Sequence, residues 1–139
     1  MADDRIHLQI ITTEGVKYDN MVSYVTLPLT GGGIGVLPGH APLLAAVDDG
    51  PVKCTFEGYK EEFVYVGTGV ADVYNNKVVL LVRTAETAET IDLARAMAAE
   101  KRAQERISSK AANVDMIRAE ASLHRAIGRV KTYEMWHKQ

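Results

Sequence analysis

Across Lys77-Val78-Val79-Leu80-Leu81-Val82-Arg83-Thr84-Ala85-Glu86-Thr87-Ala88-Glu89-Thr90-Ile91-Asp92-Leu93-Ala94-Arg95-Ala96 the hydrophobic period of the chain changes. Up to Arg83 apolar residues gather in short, largely alternating runs, the pattern of strands with one covered face; beyond Ile91 they return at steps of three and four, the pattern of a helix. Everything before the change reads as strands broken by Gly, Pro and Asn, and everything after it as two alanine-rich helices. We therefore expect residues 1–84 to form an antiparallel β-sandwich and residues 85–139 an antiparallel helix-turn-helix hairpin. The hairpin has few bulky apolar residues, so its docking on the sandwich is weakly specified and it is suited to more than one position.

Upstream of the change the strands are readable one by one. Ile6, Leu8 and Ile10 alternate with His7 and Gln9, and Glu14-Gly15 turns the chain before Val16. Further runs span residues 21–27, 52–56, 62–66, 70–74 and 77–82, separated by Asp49-Gly50, Gly58, Gly67 and Asn75-Asn76. No helix-length segment falls between them, so a parallel α/β fold lacks its crossovers. Cys54, the single cysteine, occupies an alternating apolar position with Val52 and Phe56 and reads as a buried structural thiol.

The segment Gly31-Gly32-Gly33-Ile34-Gly35-Val36-Leu37-Pro38-Gly39-His40 looks at first like a phosphate loop. It lacks the Lys-Ser or Lys-Thr ending, a following helix and dinucleotide spacing, so a structural turn is the better reading. His40 has no nucleophile or paired carboxylate near it in sequence and reads as a hydrogen-bonding turn residue. His7, His124 and His137 show no metal-ligand spacing, and no metal site is expected.

Downstream, Thr90 is the expected N-cap of a first helix running toward Ser108, with Asp92 in its first turn. Leu93, Ala96, Ala103 and Ile107 form its apolar stripe, and Asp92, Arg95, Ala99 and Arg102 a neighbouring polar one. After Ser108-Ser109-Lys110, Asn113 is the expected cap of a second helix with Met116, Ala119, Leu123, Ala126 and Val130 on its apolar side. Arg118, Ser122, Arg125 and Arg129 recur at steps of four, three and four and line another side, which antiparallel packing can bring beside Arg95 and Arg102. A basic helical row is ordinarily a solvated face, but clustered guanidinium groups repel one another unless an anion neutralises them, and their forked donors suit phosphate oxygens.

Composition sets outer limits. The chain has 139 residues and a formal net charge of −2, without the basic excess of a general nucleic-acid binder. Residues 1–83 hold six Lys and Arg against ten Asp and Glu, a net −4; residues 84–139 hold ten against eight, a net +2. The opening Met1-Ala2-Asp3-Asp4-Arg5 lacks the pattern of a secretory signal, and no run approaches the roughly twenty apolar residues of a membrane helix.

Gly35-Val36-Leu37-Pro38-Gly39-His40-Ala41-Pro42-Leu43-Leu44, preceded by Val25-Thr26-Leu27-Pro28, resembles the signature of the epsilon subunit of bacterial F-type ATP synthases, a family with an N-terminal β-sandwich and a C-terminal helical hairpin. The sequence departs from it at Gly31-Gly32-Gly33, where relatives commonly carry an acidic residue. Ile91-Asp92-Leu93-Ala94-Arg95-Ala96 is similar to the nucleotide-binding motif described for epsilon subunits of bacilli, and Glu86, Arg102, Arg125 and Arg129 match its wider constellation in type.

The resemblance implies a non-catalytic central-stalk subunit at the cytoplasmic face of the bacterial cell membrane, peripheral to it and held there through the complex. Its implied partners are the gamma subunit, the c-ring and the beta and alpha subunits of the catalytic head. ATP is the implied regulatory ligand, with Glu86 and Asp92 at the adenine end and Arg95, Arg102, Arg125 and Arg129 at the phosphates. Bound ATP would favour the folded hairpin, and an extended hairpin would restrain ATP hydrolysis. Two competing readings remain at the level of sequence: a sandwich that binds its own ligand and carries a structural helical tail, and a small enzyme using His40 with a distant carboxylate.

Overall fold

The computed structural model describes residues 4–139; Met1-Ala2-Asp3, where the reading against a secretory signal begins, lies outside the described residues. Ten strands precede two helices: β1 (Ile6–Thr12), β2 (Gly15–Val22), β3 (Tyr24–Leu29), β4 (Gly32–Val36), β5 (Leu43–Val47), β6 (Gly50–Thr55), β7 (Glu61–Val66), β8 (Gly69–Tyr74), β9 (Lys77–Val82), β10 (Ala85–Thr87), α1 (Leu93–Ser109) and α2 (Met116–His137). The architecture is a β-sandwich followed by a two-helix hairpin.

The strands follow one hydrogen-bonded path, β10-β7-β6-β3-β5-β8-β9-β1-β2, with β4 beside β3. Its weakest joint is between β3 and β5, which share the register pair Leu29 and Val47. The path folds over there, and the two halves close on a core to which β1 gives Ile6, Leu8 and Ile10, β3 gives Val25 and Leu27, β6 gives Val52 and Cys54, β7 gives Val64 and Val66, and β9 gives Val78 and Leu80. All these pairings are antiparallel except β1 with β9, which run parallel from His7 beside Lys77 to Ile11 beside Leu81. The crossover between that pair is the body of the sandwich, so no helix is needed to supply it.

Four local expectations change. The glycine segment is two turns with a strand between them: Gly31 takes φ +94° at Thr30-Gly31, Gly32–Val36 goes on as a strand paired with β3, and Pro38-Gly39 turns again, with Gly39 at φ +87° and the His40 N–H bonded to the Leu37 carbonyl at 3.1 Å. Residues 21–27 are not one strand: β2 ends at Val22 and β3 begins at Tyr24, with the Ser23 N–H bonded to the Thr55 carbonyl at 2.8 Å. The buried positions pass from Tyr18 and Val22 to Val25 and Leu27, a change of parity that marks the corner between the two halves. Thr90 does not cap α1; Asp92 does, its Oδ1 accepting the Arg95 N–H at 3.1 Å. Asn113 does not cap α2; Asp115 does, accepting the Arg118 N–H at 3.1 Å.

The helices pair through alanines. Ala96 and Ala103 of α1 and Ala119 and Ala126 of α2 are buried, whereas Leu93, Ile107, Leu123 and Val130 are half-buried and Met116 is exposed. Of the two helices, α2 is the one laid along β6 and β7. This explains why Phe63, Val64, Tyr65 and Val66 are all buried: Val64 and Val66 face the core, and the opposite face of β7 lies under α2. At the crossing α2 presents Gly128, where a Cβ would stand 2.9 Å from the Tyr65 ring. No helix among the described residues is long and apolar enough to cross a membrane.

Candidate functional site

The site begins with a strand too short to be visible in the hydrophobic pattern. Ala85–Thr87 forms β10 by pairing with β7, which sets Glu86 opposite Tyr65. The chain then makes a single 3-10 turn at Ala88–Thr90, with the Thr90 hydroxyl donating to the Thr87 carbonyl at 2.7 Å. Ile91 is buried beyond it, and Asp92 starts α1. A stretch of seven residues thus carries Glu86 and Asp92 to the place where α1, α2 and the sandwich meet.

A cavity of about 420 Å³ occupies that junction, with Glu86, Thr90, Asp92, Arg95, Arg102 and Arg129 on its walls. Ala96, Ala99 and Ala126 line it beside Ile91, and their small side chains leave the hollow. Five of the six residues singled out from sequence therefore share one cavity. Arg125 does not line it: with Arg118 it lines a second cavity of about 500 Å³, against Thr68, Arg83 and Thr84 of the sandwich edge. Arg129 lines both. The arginine row of α2 thus faces the sandwich edge as well as α1, because helical spacing fixes its direction relative to α2 but not the neighbour it meets.

Arg129 is the best anchored of the cations. Its Nε donates to Glu86 Oε2 at 2.9 Å, and its guanidinium lies 4.7 Å from the centre of the Tyr65 ring, over which it makes a cation–π contact. Burial holds the Tyr65 hydroxyl above the usual phenol range, the Asp49 carboxylate pushes the same way, and the Arg129 charge opposes both. The neutral hydroxyl donates to Asp49 Oδ1 at 3.2 Å. Arg95 and Arg102 make no side-chain ion pair among the described residues, so their forks are available to a ligand. Glu86 is not wholly available, being the partner of Arg129, and one Asp92 oxygen already caps α1. Chemically the cavity offers carboxylate acceptors on one stretch and guanidinium donors on two helices, a set that fits a ligand with an amino-bearing base and an oxyanion.

Two features were not foreseen. Tyr65 had a signal in the unbroken apolar run Phe63-Val64-Tyr65-Val66, which implies a strand covered on both faces. Asp48, Asp49 and His124 each offer one ligand atom, all within 4.8 Å of one another, and had no signal because His124 lies 76 residues from Asp48. His124 Nε2 is 3.2 Å from Asp48 Oδ1, and Asp49 receives Tyr65, so we read this group as a contact between α2 and the sandwich. His40 lies apart in the loop between β4 and β5, its Nδ1 2.6 Å from the Ala41 carbonyl oxygen.

Comparison with known proteins covers both parts of the chain. The family described as ATP synthase, delta/epsilon chain, beta-sandwich domain matches residues 5–88, and its long alpha-helix domain matches residues 89–134. An ATP synthase epsilon chain from Desulforamulus reducens is 41% identical over 127 residues, which are 91% of this chain and 96% of that one. Another, from Bacillus licheniformis, is 39% identical over 125 residues, 90% and 95% of the two chains. Among solved structures, a chain of the Euglena gracilis mitochondrial ATP synthase (OSCP/F1/c-ring) superposes with a TM-score of 0.81 at 20% identity, covering 100% of this chain and 84% of that one. A chain of the Tetrahymena thermophila mitochondrial ATP synthase central stalk and c-ring gives 0.57 at 12% identity, with 98% of each covered; at such identities these two likenesses speak for the fold. With sandwich and helices each matched in full sequence order, the chain belongs to the ATP synthase delta/epsilon chain family.

Proposed function

We propose that this chain is a non-catalytic epsilon subunit in the central stalk of a bacterial rotary ATP synthase, and that its hairpin senses ATP. In this reading the sandwich sits against the gamma subunit and the c-ring, on the cytoplasmic side of the membrane, and couples proton-driven rotation to the catalytic head. The hairpin extends along gamma toward the beta and alpha subunits when ATP is scarce and restrains hydrolysis. Its net charge of +2 suits it to an acidic surface, and an acidic face of the catalytic head would compete for it with the sandwich, whose residues 1–83 carry −4.

The observation that carries the ATP reading is the composition of the cavity walls. Glu86 comes from β10, Asp92, Arg95 and Arg102 from the start and body of α1, and Arg129 from α2, so the cavity exists only while the hairpin is folded and docked. A ligand that fills it stabilises that arrangement by RT ln(1 + [ATP]/Kd) if the extended form does not bind, about 2.7 kcal/mol at a hundred times Kd. Such an amount shifts a two-state equilibrium roughly a hundredfold. Glu86 and Asp92 would face the adenine amine, and Arg95, Arg102 and Arg129 the phosphates, with Arg125 reached only by a phosphate tail passing Arg129. The sequence carries no phosphate-loop lysine and so lacks the usual apparatus of phosphoryl transfer; ATP is here sensed and kept.

Calorimetric titration of the whole chain with ATP tests this. Asp92→Asn keeps an N-cap while removing the charge, and Arg129→Ala removes the cation shared by both helices. Weaker binding in both is expected; unchanged affinity in both rejects the pocket. Co-purification with gamma and the catalytic head tests the assembly separately.

A further inference from the structure

The second cavity is more basic than the first. Arg83, Arg118, Arg125 and Arg129 converge on it with the hydroxyl residues Thr68 and Thr84, and Asp49 is the one carboxylate among its lining residues. With Glu86, which pairs with Arg129, counted beside Asp49, four positive groups meet two negative ones, an excess of two in a chain whose net charge is −2. These cations do not all belong to one solvated helix face: Arg83 follows the end of β9 in the sandwich, and the other three stand on α2. Docking the hairpin therefore brings a sandwich arginine toward three helix arginines, an arrangement disfavoured by like-charge repulsion unless an anion lies among them.

The cavity rim is built. The Arg83 N–H is bonded to the Thr68 carbonyl at 3.0 Å and the Gly67 N–H to the Thr84 carbonyl at 2.9 Å, which fixes the two sandwich segments side by side. Arg125 Nη2 donates to Ser122 Oγ at 3.1 Å, and Arg129 is held by Glu86 and Tyr65. Asp49 is turned to the Tyr65 hydroxyl at 3.2 Å. The guanidinium groups of Arg83 and Arg118 make no hydrogen bond or ion pair among the described residues. Two held cations and two uncommitted ones around a common space match the tetrahedral, multiply charged oxygen set of a phosphate, which forked guanidinium donors bind best.

We propose that this cavity is a phosphate-binding site of its own, formed by Arg83, Arg118 and Arg125 with Arg129 shared, and that its occupation locks the hairpin against the sandwich edge. The anion has two sources of the same chemistry: free phosphate or pyrophosphate, and the phosphate tail of a nucleotide whose base end lies in the neighbouring cavity across Arg129.

The test titrates the whole chain with inorganic phosphate, pyrophosphate, ATP and adenosine at constant ionic strength in chloride, by calorimetry and phosphorus NMR. The double variant Arg83→Gln/Arg118→Gln is compared; neither residue lines the first cavity, both are exposed, and thermal unfolding checks that the variant is folded. We expect the variant to lose roughly tenfold or more in affinity for at least one phosphate ligand, as removal of charge-assisted hydrogen bonds requires. Weakened phosphate or pyrophosphate with unchanged ATP identifies a free anion; weakened ATP with adenosine unaffected identifies the nucleotide tail. Variant affinities equal to wild type for all three phosphate ligands, or a wild-type chain that binds none of them, overturns the proposal. A wild-type chain that binds phosphate but not ATP sinks the ATP reading while leaving this site standing.

Discussion

The sandwich and the hairpin solve the same packing problem with different materials. Between the two halves of the sandwich lie Ile6, Leu8, Ile10, Leu27 and Leu80, each at most 1% exposed, and every such side chain contributes about 1.5–3 kcal/mol by burial. Between the two helices the fully covered residues are alanines, each of which buries little more than one methyl group at about 0.8 kcal/mol. A region held by large, interlocking side chains has one arrangement. A region held by methyl groups, half-buried Leu, Ile and Val side chains and a few polar contacts has a smaller margin, and under the proposed function a ligand contributing about 2–3 kcal/mol would be large enough to decide where it sits. The same substitution of scale appears at the site, where alanines leave the hollow that arginines and carboxylates rim.

The contrast is broken most forcefully inside the sandwich. Leu80→Ala should cost about 2–5 kcal/mol and loosen the whole molecule, because α2 docks on a strand of that sheet. Cys54 gives the readout: it is 0% exposed, and burial pushes its thiol up to about 12, so at neutral pH the folded form has no reactive thiolate. Thiol labelling should be slow in the wild type and much faster in Leu80→Ala. A smaller and local effect is expected from Gly128→Val, which forces a branched side chain against the Tyr65 ring and should cost the docked state about 1–3 kcal/mol. Hydrogen exchange should accelerate in α2 while Cys54 stays protected; rapid labelling of Cys54 in this variant would mean that the two regions do not move independently. Smallest is the cap: Asp92→Ala should destabilise α1 by about 1 kcal/mol, and Asp92→Asn should restore most of it. Helicity measured against temperature separates the two, and equal loss in both variants would make the charge, not the cap, the stabilising element.

These local effects also show where the sequence was informative. Strands with one covered face announce themselves through alternation, and β1, β6, β8 and β9 are found within one or two residues of their expected positions. Alternation carries no information about partners, so it missed β10, which exists through its bonds to β7, and the parallel pairing of β1 with β9. Glycine content concealed β4 because a strand that lies off the path and pairs with β3 needs no side chains to pair its backbone. Helix caps were placed two residues early in both helices: Thr90 and Asn113 are acceptable cap residues, but Asp92 and Asp115 are too, and the preceding Ile91 and Val114 must first be tucked against their neighbours. At the site, spacing grouped Asp92, Arg95, Ala99 and Arg102 on one stripe of α1, and these four line one cavity, whereas the division of the α2 row between two cavities depends on which way the helix is turned toward the sandwich. That orientation is set by Gly128, Tyr65 and the His124–Asp48 contact, none of which follows from periodicity.

The account stands on ATP tightening the hairpin and leaving the sandwich as it is. Amide hydrogen exchange of the whole chain, with and without saturating ATP, measures this most directly. Protection should rise along α1, α2 and the Glu86–Asp92 connection and stay constant in β1, β3 and β9. Unchanged exchange beyond Arg83, or equal gains in sandwich and hairpin, would contradict it.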